Sequence, residues 1–222
     1  MALSVVIPAL DEGDRIEAAL ESAAAPGVEV VVVDGGSRDD TVARALRKGA
    51  RVLRCAPGRA RQLAVGAREV AGDVILFLHA DTRLPAGYEE AVLASLRDPE
   101  TSGGAFRFAF DRRSPLLWFV ERGARLRSSL LGLPYGDQAL FVRREVLESA
   151  GGVPQVAIME DLDLVRLIRS RGRLALLAPA AITSARRYEA RGVVRTMARN
   201  WLALAAWAFG LDRDRVAAWY RR

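Results

Sequence analysis

One cysteine, one histidine and one lysine are all that the 222 residues contain of those three types. The lone thiol, Cys55, excludes an internal disulfide and any thiolate metal cluster, and fits a reducing compartment. The lone imidazole, His79, leaves no evident Ser-His or Cys-His pair, so an activated side-chain nucleophile is not expected. No apolar run approaches the roughly 20 residues needed to span a bilayer. The first residues carry no basic leader, and Asp11-Glu12 interrupts the first apolar run, so no signal peptide is expected. The expected location is the cytoplasm. No internal repeat, low-complexity tract or linker divides the chain. With 51% hydrophobic residues, a single domain with a sizeable core is expected over 1–222.

Positive charge is present instead, and nearly all of it is arginine. The formal net charge is +6, with Lys48 as the single lysine. Such a balance is either a bias spread over a solvated surface or a preference for anionic partners: phosphates, nucleic acid or lipid. The arginines are scattered and no RNA-binding motif occurs, so nucleic acid is not expected.

Apolar runs place the strands. Leu3 to Pro8, Val28 to Val33, Arg51 to Arg54 and Val74 to Leu78 read as strands, and the runs at 3–8, 28–33 and 74–78 have the unbroken apolar character of burial on both faces. Between them, Ile16, Ala19, Leu20 and Ala23 repeat at helical spacing, as do Val42, Ala45 and Leu46, and then Leu63, Ala64, Ala67 and Val70. Strand and helix in alternation predict an α/β fold, with a mostly parallel sheet covered by helices on both faces. Further along, helices are expected at Tyr88–Leu96, Leu116–Leu131 and Asp161–Ser170. Strands are expected at Gly104–Phe110, Ala139–Val142 and Leu174–Ala178.

The run Val74 to Leu78 leads directly into His79-Ala80-Asp81. In open α/β sheets ligands gather at the carboxyl ends of strands, so Asp81 is either a turn cap or a ligand of a metal or phosphate. Glu12, Asp34 and the Glu160-Asp161-Leu162-Asp163 cluster also lie at element ends. Arg59 lies at a helix start, where backbone N–H groups favour phosphate.

The order and wording of these pieces resemble the family 2 glycosyltransferases, inverting nucleotide-sugar enzymes with the Rossmann-like GT-A fold. Their opening VVIPxxNE is similar to Val5-Val6-Ile7-Pro8-Ala9-Leu10-Asp11-Glu12, and VDDGSxDxT to Val33-Asp34-Gly35-Gly36-Ser37-Arg38-Asp39-Asp40-Thr41. GKAxALNxG resembles Gly58-Arg59-Ala60-Arg61-Gln62-Leu63-Ala64-Val65-Gly66, DAD resembles His79-Ala80-Asp81, and ED resembles Glu160-Asp161. Five motifs in the family's order cover roughly the first 180 residues. The nearest subgroup by this wording is the small bacterial rSAM/selenodomain-associated transferase 2 group.

The resemblance implies a mixed, mostly parallel GT-A sheet with a nucleotide-binding half (1–81), an acceptor half (82–184) and a C-terminal helical arm (185–222). It implies transfer of a sugar from a nucleotide-diphosphate donor, UDP- or GDP-linked, to an acceptor hydroxyl. Pro8, Ala9, Leu10, Glu12, Asp34, Gly35, Arg59, His79, Ala80 and Asp81 would hold the donor. Asp81 would bind Mg²⁺ or Mn²⁺, which needs only one or two protein oxygens when phosphates complete the shell. Asp161 would be the general base. Gly136, Asp137, Gln138, Glu160 and Arg187 would line the acceptor and diphosphate side. His79 stands where the family has a first carboxylate, Gly35 where a second Asp is common, and Ala64 where Asn is common. The processive QxxRW run is missing, which points to a single-transfer enzyme.

Arg187, Arg191, Arg195 and Arg199 recur every four residues, as on one side of a helix, and Trp201, Leu202, Leu204, Trp207 and Phe209 follow. Such an arm packs either on the domain, on a second subunit as in a homodimer, or on an anionic membrane at the inner face. The last case admits a lipid-linked acceptor. Two other readings of the chain stand beside this one. A sugar nucleotidyltransferase would want a Gly-rich phosphate loop after the first strand, which Pro8–Glu12 does not provide. A non-catalytic module binding nucleotides or a membrane surface is compatible with the charge.

Overall fold

The computed structural model describes residues 1–221. Its strands are β1 (Leu3–Ala9), β2 (Glu29–Asp34), β3 (Arg51–Arg54), β4 (Val74–Phe77), β5 (Thr82–Arg83), β6 (Thr101–Phe110), β7 (Phe141–Arg143) and β8 (Arg173–Thr183). They form one sheet in the order β3-β2-β1-β4-β7-β6-β8-β5. The pairs among β1 to β4 are parallel, and so is β6 with β8. β7 runs antiparallel to both β4 and β6 and joins the two parallel blocks, while β5 closes the edge antiparallel to β8.

Among the described residues there are ten α-helices: α1 (Gly13–Ala23), α2 (Thr41–Arg47), α3 (Arg59–Glu69), α4 (Tyr88–Ser95), α5 (Pro115–Leu126), α6 (Arg144–Ser149), α7 (Glu160–Arg171), α8 (Arg186–Arg191), α9 (Val193–Ala208) and α10 (Arg213–Arg221). Strand periodicity of two explains why the apolar runs are unbroken. Val5, Ile7, Val32, Leu76 and Leu78 point into the core under α1, α2 and α4. Val6, Val31, Val33, Ile75 and Phe77 point into a second core under α3, α6 and α7. Each fully buried aliphatic side chain contributes about 1.5–3 kcal/mol, and the one polar residue of β1, buried Ser4, is satisfied there: it donates to Glu29 (3.0 Å) and accepts from the Gly72 N–H (2.9 Å).

Later elements depart from expectation. The helix foreseen over 116–131 ends at Leu126 and continues as a π-helical turn, Arg127–Leu131, stopped by Gly132 at φ +61. The strand foreseen at 174–178 runs to Thr183 because it pairs with the whole length of β6, through a register shift beside Phe106. Ala139 is not in a strand: it sits at φ +49 after a short 3-10 turn, Gly136–Gln138. The stripe of four arginines is broken. Gly192, at φ +82, ends α8 and starts α9, so Arg187 and Arg191 lie on one helix and Arg195 and Arg199 on another.

Candidate functional site

Two hollows meet at the carboxyl ends of β1 and β4. The larger, about 590 Å³, is lined by Pro8, Ala9, Leu10 and Glu12 from the end of β1, by Arg59 at the start of α3, and by His79, Ala80 and Asp81 beyond β4. Arg186 and Arg187, at the start of α8, close its far side. Eight of the residues expected to hold the donor are therefore in one groove. The smaller cavity, about 150 Å³, is lined by Asp137, Glu160, Asp161 and Tyr188, among others. Arg59, His79, Asp81 and Arg187 line both and form the wall between them. Asp81 and Asp161, eighty positions apart, thus face the same cavity.

The groove is shaped by ties between loops. Asp11 accepts from the Arg38 N–H (2.8 Å), the Glu12 N–H donates to Thr41 Oγ1 (2.8 Å), and the Gly13 N–H donates to Asp39 (2.9 Å). Buried Gln62 donates to the carbonyls of Ala9 and Val33, each at 2.8 Å, locking the ends of β1 and β2 to α3. Asp34 and Gly35, expected to meet the nucleotide, are not among the residues lining the groove, and they take part in this scaffold. Asp34 is buried and accepts from the N–H groups of Gly36 (3.1 Å) and Ser37 (3.1 Å). A Cβ on Gly35 would stand 3.1 Å from the Gln62 amide carbon.

Arg186 bridges two carboxylates of the groove. It is hydrogen-bonded to Glu12 Oε1 and lies 3.6 Å from Asp81 Oδ2. Glu12 Oε2 is buried with no hydrogen-bond partner, the Arg15 guanidinium lying 4.0 Å away, and burial raises the Glu12 pKa despite the Arg186 contact. Arg59 pairs with Glu160 at 3.2 Å and reaches His79 Nε2 at 3.4 Å. Burial, with Arg59 and Arg187 close by, holds the His79 pKa well below the ordinary imidazole value. The ring is therefore neutral and offers a lone pair to a cation or a donor.

Three acids open α7, and packing sorts them. Glu160 pairs with Arg59. Asp163 accepts from Trp207 Nε1 (2.7 Å) and pairs with Arg213 (3.2 Å), tying the C-terminal helices to α7. Asp161 alone has no cationic partner among the described residues. Its Oδ2 accepts from the Gly136 N–H (2.8 Å) and its Oδ1 from the Leu162 N–H (2.9 Å), which aims the carboxylate at the cavity. Gly136 is required there: a Cβ would lie 2.8 Å from His79 Nε2 and 3.3 Å from Asp161 Cβ.

Asp137 also lines the cavity. Its Oδ1 is buried without a partner, and burial pushes its pKa up to about 6. Gln138, expected on the acceptor side, points away. It is buried, donates to the Phe106 carbonyl (2.8 Å), and accepts from Ser128 (2.9 Å) and the Tyr135 N–H (3.2 Å), so it pins the 3-10 turn to β6. Asp11, Ala139 and Met159 are the non-glycine residues with positive φ among those described, and each adjoins a segment of the site. Backbone strain of that kind persists where surrounding packing enforces it.

Sequence reading missed Tyr135, Tyr188, Asn200 and Tyr220 in the cavity wall. Asn200 donates to the Tyr188 hydroxyl (3.3 Å) and accepts from the Tyr220 hydroxyl (2.6 Å), and Arg187 donates to Tyr220 (3.2 Å). No local pattern marks them; the chain's one asparagine, in an otherwise basic and apolar helix, was the available sign.

Among the described residues no group of three His, Cys, Asp or Glu side chains could hold a metal. Asp81 with neutral His79 supplies one carboxylate and one imidazole, a partial set that suits a hard divalent cation completed by substrate oxygens.

Comparison with known proteins agrees with this architecture. Glucosyl-3-phosphoglycerate synthase of Mycobacterium tuberculosis (strain CDC 1551 / Oshkosh) is 35% identical over 92 residues, which is 36% of this chain and 28% of that protein. The match thus spans well under a third of that relative's length. The crystal structure of the M. tuberculosis enzyme with Mn²⁺, UDP and glucosyl-3-phosphoglycerate superposes with a TM-score of 0.64 at 22% identity, over 95% of this chain and 81% of that one. The mannosyltransferase PcManGT of Pyrobaculum calidifontis, with GDP-Man and Mn²⁺, gives 0.61 at 22% identity, over 82% and 56%. S. aureus TarS 1–349 gives 0.63 at 20% identity, over 89% and 64%. At such identities the likeness shows the fold. Residues 4–148, more than half of the chain, match the model of Glycosyl transferase family 2, and the chain belongs to that family.

Proposed function

We propose that this protein transfers a sugar from a UDP- or GDP-linked donor to an acceptor hydroxyl in one inverting displacement. The observation that carries the reading is the shared wall: Asp81, His79, Arg59 and Arg187 border both the groove at the end of β1 and the cavity that holds Asp161. A donor lying in the groove would present its diphosphate to Arg59, Arg186 and Arg187 and its anomeric carbon to the cavity. Asp81, with His79 beside it, would hold Mg²⁺ or Mn²⁺. When bound, that ion offsets charge on the departing nucleoside diphosphate. Mn²⁺ accompanies UDP in the mycobacterial enzyme and GDP-Man in PcManGT, which supports this cofactor class here.

Asp161 takes the acceptor hydroxyl proton as that oxygen bonds to the anomeric carbon and the carbon–phosphate oxygen bond breaks. Its two backbone N–H partners hold the carboxylate in place, facing the cavity where the acceptor would lie. Asp137, Tyr188, Asn200 and Tyr220 offer hydrogen bonds to further acceptor hydroxyls. By the wording of its motifs we assign the chain to the small bacterial rSAM/selenodomain-associated transferase 2 group. The reducing cytoplasm, supported by the single Cys55, is our reading of location. An acceptor anchored in lipid is our reading of the partner, supported by the apolar and basic character of the C-terminal helices.

The test is donor turnover by purified protein with UDP- and GDP-sugars, with and without Mn²⁺. Metal-dependent release of the nucleotide, lost in Asp161→Asn while donor binding persists, is the expected result. Absence of any donor-induced thermal shift overturns the reading in favour of a non-catalytic module.

A further inference from the structure

Most exposed large apolar side chains of this protein lie on two neighbouring segments outside the site. Leu116, Trp118, Phe119 and Leu126 project from α5, and Leu130 and Leu131 from the π-helical turn after it. Val194, Trp201 and Leu202 project from α9, followed by Phe209 and Leu211. Exposure reaches 61% at Phe119, 72% at Leu130, 74% at Val194 and 83% at Phe209, values that leave these rings and chains in water. The two helices are neighbours. Leu117, Val120 and Ala124 of α5 pack in one cluster with Val193 and Met197 of α9. On α5 the outer face therefore carries Trp118, Phe119, Arg122 and Leu126, opposite that cluster. On α9 positions 194, 198, 201, 205 and 208 are all exposed and apolar, an unbroken stripe at helical spacing.

The charge within these segments is almost all of one sign. Residues 112–131 and 191–211 contain eight arginines and one acid. That acid, Glu121, is turned inward, accepting from the Phe110 N–H at 2.7 Å. Arg113, Arg125, Arg191 and Arg195 have no carboxylate partner among the described residues, and Arg122 lies over the Trp118 ring at 4.9 Å. Apolar rings interleaved with unpaired guanidinium groups match a surface that is apolar within and anionic at its rim.

We propose that α5, its π-helical continuation and α9 together form a platform that rests on an anionic lipid bilayer. A second copy of the chain is the poorer occupant, because a twofold contact would set the same arginines against themselves with no acids to answer them. A second, smaller hollow between α5 and α9 is lined by Val120, Met197 and Trp201 on the platform side. It shares Tyr135, Asp137, Tyr188 and Asn200 with the acceptor cavity. Resting on the proposed glycosyl transfer, the platform would bring a lipid-anchored acceptor to Asp161 from the membrane side. It also changes the expected contact: the broken arginine stripe on α8 and α9 does not act alone, and α5 supplies half of the surface.

The test is co-sedimentation of the full chain with vesicles of phosphatidylcholine and phosphatidylglycerol, against phosphatidylcholine alone. The protein is expected to pellet with the anionic vesicles, less so as salt is raised, and to stay in solution with the neutral ones. Phe119→Asp combined with Leu130→Asp should lower the bound fraction about tenfold or more. Arg122→Glu combined with Arg125→Glu should do the same at low salt. All four side chains are exposed, and circular dichroism checks that the variants remain folded. No pelleting with either vesicle, or pelleting indifferent to both variants, overturns the proposal. So does a dimer in light scattering that the Phe119→Asp variant dissolves. Donor-induced thermal shift measured without vesicles reports on glycosyl transfer separately, so failure of the platform and failure of the enzyme reading remain distinct.

Discussion

The donor groove is walled by the end of β1, the segment after β4 and the starts of α3 and α8, whereas the acceptor cavity is walled by the 3-10 turn, α7 and the last three helices, and the two are held in different ways. On the donor side backbone groups do the fastening: Gln62 grips two strand-end carbonyls, and Asp34 accepts two N–H groups of its own turn. On the acceptor side Asp161 and Gln138 also hold backbone groups, but the last three helices are fastened side chain to side chain, through Tyr188, Asn200, Tyr220 and Arg187. Backbone ties fix a shape that many sequences can keep. Side-chain ties can be exchanged residue by residue, which suits a pocket whose occupant differs from one enzyme to the next. This contrast teaches where change is tolerated: the groove is a fixture and the cavity is adjustable.

The sharpest break between the two regions is expected from Asp161→Asn. Transfer should fall about 10²–10⁴-fold, as for loss of a general base, with donor affinity unchanged in calorimetry. Asp81→Asn strikes the shared wall and should impair both sides. Metal-dependent donor binding should vanish and kcat/KM drop about 100-fold, checked by a Mn²⁺ titration of donor binding.

Two glycines compare the regions by stability. A Cβ on Gly66, in α3, would collide with Val6 and stand 3.1 Å from Val33 Cγ2. Gly66→Ala should therefore lift α3 from the sheet and cost about 1–3 kcal/mol in denaturant unfolding. Gly123, in α5, meets nothing within 4 Å. Gly123→Ala should instead gain about 0.5–1 kcal/mol through helix propensity.

Asp137 gives the acceptor side a pH signature. Burial raises its carboxyl to about 6 from an ordinary 3.8. Between those values the folded chain keeps a proton that the unfolded chain has released. The resulting stabilisation is complete below pH 3.8 and is lost as pH rises through about 6. Asp137→Asn should remove that loss and raise stability near pH 8 by about 1–2 kcal/mol, read as thermal melts across the pH range. A variant no more stable than the parent would mean that Oδ1 is satisfied and the cavity less selective than drawn.

Strands β1, β2 and β4 were legible in the sequence because burial on both faces leaves an unbroken apolar run of about five residues. The residues at their ends, Glu12, His79 and Asp81, were legible because the ends of parallel strands in such a sheet face the same way. The backbone ties of Asp34 and Gln138 were not, because a carboxylate or amide at the end of an element reads the same whether it meets a ligand or its own backbone. Tyr188, Asn200 and Tyr220 were not, because their partners lie across a break at Gly192 and a turn at Gly210.

By itself the sequence determined the alternation of strand and helix, the two-sided core and the groove at the end of β1. These follow from periodicity and short loops, which act over a few residues. Only the tertiary structure decided that residues 186–220 fold back against Glu12 and Asp161. It also decided that of three acids on α7 one is left without a cation, and that α5 and α9 turn apolar faces outward side by side. Those outcomes depend on contacts between residues 44 to 174 positions apart, where the entropy of closing the chain is offset by packing that no local pattern records.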